Sequence, residues 1–125
     1  MPSNYDKHVD HLALSGITLL GSETIDMKTA ASTTIFTPER SCRILRVVVR
    51  NPSATLVGGS SYTLTNFRAA FSLVTLTSTT GYLVVQATDL TQFTEVPAGT
   101  AVQLTVTTGS TAAATATVDV FGYYI

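Results

Sequence analysis

Arg40, Arg43, Arg46 and Arg50 fall within one short stretch of the 125-residue chain. A guanidinium offers parallel N–H donors that match a carboxylate or phosphate bidentately, so such a cluster points first to recognition of an acidic neighbour. On a regular strand Arg46 and Arg50 share a face with Ile44 and Val48, whereas Arg43 points the other way with Leu45, Val47 and Val49, unless a bulge re-aims it. A solvated or internally paired edge would use the same residues to little effect. The sequence leaves both readings open.

Other residues capable of chemistry are few. His8, Asp10 and His11, with Asp6 nearby, supply ligand types for a transition metal. Their spacing matches no helical zinc motif, and they read as a polar lead-in, so no metal is expected. Asp89, Glu95 and Asp119 are the only carboxylates after Ala69, too sparse a set for a paired general acid and base. Gly58-Gly59-Ser60-Ser61 lacks the lysine and the following helix of a phosphate-binding loop. Cys42 is the single cysteine and reads as a small, partly buried thiol. Phe121, Tyr123 and Tyr124 lie close together near the end of the chain, with Phe121 and Tyr123 on one face of a strand and Val118, Val120 and Tyr124 on the other. They suit a packing surface better than a sugar platform. No enzyme and no cofactor is expected from this inventory.

Composition narrows the classes further. Charged residues make up 12% of the chain and the net charge is -1, which excludes a generally basic nucleic-acid binder. About two dozen threonines and about a dozen serines supply polarity in place of charge, and threonine suits a pleated strand. A mean hydropathy of +0.32 would leave an isolated monomer with much apolar surface, so burial in an assembly is expected. No apolar run is long enough to span a membrane, and Met1-Pro2-Ser3-Asn4-Tyr5-Asp6 lacks the features of a signal peptide, so the expectation is cytoplasmic synthesis without a membrane partner. All seven Lys and Arg lie at or before Arg68, which divides the chain into a basic half and a half without positive charge.

Strand patterning then supplies the frame. Residues 1–20 read as an arm whose apolar part holds Leu12, Leu14, Ile17, Leu19 and Leu20, although Ile17 to Leu20 also fits a first strand. Residues 21–125 read as one sandwich domain. Glu23, Ile25 and Met27 alternate with polar neighbours, Thr33 to Thr37 stops at Pro38, and Arg43 to Asn51 is the strongest early strand. Tyr62 to Asn66 and Tyr82 to Ala87 follow, and a phase shift within Phe67 to Thr77 suggests a bulge or two short strands meeting at a bend. Ala101 to Thr107 and Ala114 to Ile125 both alternate with period two, and the short loop between them predicts a hairpin. The total is about eight short strands and no convincing helix, predicting an antiparallel β-sandwich or jelly roll.

Phe36-Thr37-Pro38, the valine-rich strand closing at Arg50-Asn51, Pro97-Ala98-Gly99-Thr100 and the terminus Val118-Asp119-Val120-Phe121-Gly122-Tyr123-Tyr124 together resemble small virion structural proteins of tailed bacteriophages. The resemblance covers residues 30–125, leaves out the arm, and contains no catalytic signature. It implies a jelly-roll capsid decoration or cement protein, a homo-oligomer and commonly a trimer, that binds the major capsid protein at the virion surface after synthesis in the host cytoplasm. A tail, baseplate or fibre module is the alternative, and a carbohydrate-binding module a further one that predicts exposed aromatics among Tyr62, Tyr82 and Tyr123. The expected partner-binding residues are Leu12, Leu14, Ile17, Leu19, Leu20, Arg43, Arg46, Arg50, Phe121, Tyr123 and Tyr124, with the arm as anchor.

Overall fold

Alternating apolar side chains can bury one face of a strand only if a second layer covers it. In the computed structural model, which describes residues 17–67, 69–86 and 95–125, the chain meets this need with eight strands and, among those residues, no helix. They are β1 (Thr18–Asp26), β2 (Ser32–Phe36), β3 (Cys42–Arg50), β4 (Ser61–Leu64), β5 (Tyr82–Gln86), β6 (Glu95–Val96), β7 (Val102–Thr108) and β8 (Thr115–Tyr124). Two antiparallel sheets result, consistent with a β-sandwich. The larger has the order β1-β8-β3-β5, with β6 also paired to β3; the smaller has the order β2-β7-β4. Because β8 occupies one edge of β3 along its whole length, β5 and β6 lie in line along the other.

Two expectations are corrected. The closing pair is no hairpin: β7 lies between β2 and β4 in the small sheet, while β8 lies between β1 and β3 in the large one. Period-two alternation reports a half-buried strand but not its partner. The loop between them instead crosses from one sheet to the other and is fastened on the way. Ser110 N–H donates to the Met27 carbonyl at 2.9 Å, Thr111 N–H to Val57 at 2.8 Å, and Met27 N–H to Ala114 at 2.8 Å. Gly109 lies against Lys28 so closely that a Cβ would overlap its carbonyl, which is why the loop has a glycine there.

Phe67 to Thr77 is likewise no strand. Phe71 makes a single antiparallel bridge to Tyr62, and the rest turns, burying Leu73 and Leu76 and exposing Val74. β1 begins at Thr18, so Thr18 to Leu20 lie in a strand, one of the two readings the sequence leaves open for that stretch. Leu12 and Leu14 lie outside the described residues.

The core is drawn from both sheets. Ile25, Met27, Ile44, Val47, Val49, Leu104 and Val102 are fully or almost fully buried, as is Cys42, whose thiol pKa is raised by that burial. Each such aliphatic side chain stabilises the fold by roughly 1.5–3 kcal/mol relative to exposure. Tyr62 of β4 is the largest fully buried side chain, and its hydroxyl donates to the Met27 carbonyl at 2.9 Å, tying the small sheet to the end of β1. Burial, with the Asp26 charge adding to it, pushes the phenol pKa up. At the surface, hydroxyl pairs link neighbouring strands: Thr24 with Thr117 at 3.2 Å and Ser32 with Thr105 at 2.8 Å. Part of the hydroxyl-rich surface is thus engaged within the sheets.

Tyr62→Phe removes one donor from a carbonyl that keeps its bond from Ser110, and is expected to cost about 1 kcal/mol. Tyr62→Ala also empties core volume and is expected to cost about 3–5 kcal/mol. Urea unfolding at unchanged m-value measures both. A phenylalanine variant as unstable as the alanine one would locate the stabilisation in the hydroxyl rather than the ring.

Candidate functional site

The site follows from a conflict of phase within β3. Cys42 and Ile44 are apolar at one parity, Val47 and Val49 at the other, and a regular strand would send one pair outward. The register shifts between Ile44 and Arg46, with Leu45 as the extra residue, so Cys42, Ile44, Val47 and Val49 all face the core. Arg43 is thereby re-aimed to the outer face with Arg46, Val48 and Arg50, as only a bulge allows. Gly122 lies opposite Ile44 beside this bulge, and a Cβ there would overlap the Arg43 carbonyl. The glycine in Phe121-Gly122-Tyr123 therefore lets β3 and β8 close on each other.

Cross-strand pairing sets the outer face in rows. Arg43 pairs with Tyr123 on one side and Glu95 on the other. Gln86, Arg46, Phe121 and Leu19 form the next row, then Val84, Val48, Asp119 and Ser22, then Tyr82, Arg50, Thr117 and Thr24. The structure thus brings Leu19, Arg43, Arg46, Arg50, Phe121 and Tyr123 together. Leu19 is 50% exposed, Tyr82 61% and Val84 39%, so the face is wet but partly apolar.

Three predicted residues go elsewhere. Ile17 is exposed just before β1, Leu20 is buried, and Tyr124 points away from Tyr123. Leu20 and Tyr124 line a groove of about 420 Å³ with Phe36, Pro38 and Arg40. There the Arg40 guanidinium lies 5.5 Å from the Tyr124 ring centroid and donates to the Ile125 carbonyl at 3.3 Å.

Electrostatics separates the arginines on the face. Arg50 Nε donates to Asp119 Oδ2 at 2.6 Å, and Ser22 Oγ donates to Oδ1 at 2.5 Å. Burial works to raise the Asp119 carboxyl, but the hydrogen bonds from Arg50 and Ser22, with the Arg50 charge, outweigh it and hold its pKa below the usual value. Arg46 lies 5.5 Å from the Phe121 ring centroid. Arg43 Nε is buried and has no hydrogen-bond partner among the described residues. Arg50 with Asp119 is the one ion pair among the described residues.

The chain matches no family model, no curated protein and no solved structure.

Glu95 and Asp119 sit in different rows, and Asp119 is committed to Arg50 and Ser22. Among the described residues no three of His, Cys, Asp and Glu come together; His8, His11, Asp6, Asp10 and Asp89 lie outside those residues. Of the aromatics proposed for a glycan groove, Tyr62 is in the core, and Tyr82 and Tyr123 stand about 20 Å apart along the β3 axis by strand rise. Sequence reasoning passed over Val84 as a site residue and Asp119 as the counter-ion. Their signals were present: Val84 alternates with Leu83 and Val85, and Asp119 shares the parity of Phe121 and Tyr123.

Asp119→Ala is expected to cost about 1–3 kcal/mol at pH 7, from loss of hydrogen bonds to a charged group. Since the folded pKa is depressed, this stabilisation is complete above the ordinary value of about 3.9 and is lost as pH falls through the lower folded one. The gap in thermal midpoint between variant and parent should narrow below about pH 4. A gap that stays constant down to pH 2 would assign the effect to packing.

Proposed function

We propose that the protein is a virion structural protein, a capsid decoration or cement module that binds the major capsid protein lattice and stabilises it without catalysis. The observation that carries the binding part of this reading is the outer face of the large sheet, uncovered by any described element and bearing cations among exposed apolar side chains. The resemblance of residues 30–125 to phage virion proteins supplies the setting.

The strand order supports the finer fold assignment. If the Phe71 bridge beside β4 is counted as the remnant of a fourth strand, the two sheets run β1-β8-β3-β5/β6 and β2-β7-β4-Phe71. Counted so, the order would fit a jelly roll, an architecture common to capsid and lectin domains. A homotrimer fits the mechanism, because three linked copies of one weak face attach to a repeating lattice far more firmly than one.

Light scattering on the purified protein should give three times the chain mass of 13.2 kDa. Electron cryomicroscopy of particles should place it on the outer capsid surface, and particles lacking it should rupture at lower temperature. Density confined to the tail would replace this reading with that of a tail, baseplate or fibre module.

A further inference from the structure

We propose that Arg43 and Arg46 form a two-point receptor for carboxylates on a partner protein, while Arg50 is withheld by its own internal counter-ion. The inference deepens the assembly reading and rests on it for the partner being a protein surface.

The three guanidiniums share one face but differ in what already holds them. Arg50 is engaged by Asp119 at 2.6 Å. Arg43 and Arg46 form no ion pair with any described carboxylate, although Glu95 stands beside Arg43 in register. The Arg46 guanidinium lies over the Phe121 ring at 5.5 Å from its centroid, a contact that uses none of its N–H donors in an ion pair with a described carboxylate. Arg43 Nε is buried and has no hydrogen-bond partner among the described residues, so a carboxylate would meet this arginine through its terminal N–H groups.

Same-face neighbours on a strand are about 7 Å apart, and the bulge at Leu45 lengthens this interval between Arg43 and Arg46. Two acidic side chains on one edge of a partner can span that distance. The same rows hold Phe121, Tyr123 and the exposed Leu19, and Val84 lies in the next row. The complementary surface therefore interleaves carboxylates with apolar side chains. A nucleic acid suits this face poorly, since Asp119 and Glu95 lie on it and the chain is net negative.

The test is an NMR titration of the full chain with a synthetic peptide of alternating Glu and Val, and separately with a thymidine oligonucleotide of equal charge. The peptide is expected to shift the amides of Arg43, Arg46, Phe121 and Tyr123. Arg43→Gln with Arg46→Gln should weaken it at least tenfold. Lys28→Gln with Arg40→Gln, which removes the same charge elsewhere, should change affinity less than threefold. If the first double variant does not fold, Arg46→Gln alone should still weaken the peptide threefold or more. Equal loss in the two double variants, shifts centred elsewhere, or tighter binding of the oligonucleotide would overturn the proposal. The titration uses the isolated protein, so its failure is distinct from absence of the protein from the capsid.

Discussion

Keeping charge out of the core while Cys42, Ile44, Val47 and Val49 of β3 all go in is the constraint on which the large sheet depends. The strand carries apolar residues at two parities and arginines between them, and no straight pairing satisfies both. One extra residue at Leu45 resolves the conflict, and Gly122 on β8 gives the bulged backbone room. Because β8 is also the partner of β1, the same seam fixes where Leu19, Ser22 and Thr24 stand on the outer face. The core and the candidate surface are thus two consequences of one register. A shift of one residue in β3 would bury guanidiniums and expose valines together.

The outer face is kept in order by a small polar network. Asp119 is buried in the middle of that face, where an unpaired carboxylate would be unfavourable, and it is satisfied by Arg50 on one side and Ser22 on the other. Three adjacent strands, β1, β8 and β3, are therefore pinned across the sheet by side chains as well as by backbone. The arrangement also neutralises one cation of three. The positive character of the face is consequently concentrated at the Arg43 and Arg46 end, next to Phe121 and Tyr123.

Much of this was legible in the sequence. Alternation located seven of the eight strands, and the turn residues around Pro38, Asn51 and Gly99 marked their ends; Asn51 and Gly99 both adopt positive φ. The common face of Phe121 and Tyr123 followed from parity, and the bulge was visible as an open alternative for Arg43. Pairing was not legible. β7 and β8 look like a hairpin because six intervening residues can equally make a tight loop or a crossing between layers. The difference lies in long-range bonds to Met27 and Val57 that local pattern does not carry. Leu20 and Leu19 also differ in a way alternation conceals, since a second register shift between Leu19 and Gly21 turns Leu20 inward.

The edges of the sheets are shaped against pairing with a further strand. An exposed edge strand invites pairing with another chain unless something blunts it. On β1 the shift at Leu20 bends the edge, and Glu23, opposite the buried Val118, puts a charge on the core side of the edge while staying exposed. On β2 a register shift precedes Phe36, and Pro38 follows it closely. β5 is only five residues long. Each of these features disfavours sheet extension by a second copy. The proposed association would therefore be built on the outer surface of the large sheet, where the arginines and aromatic rings are gathered.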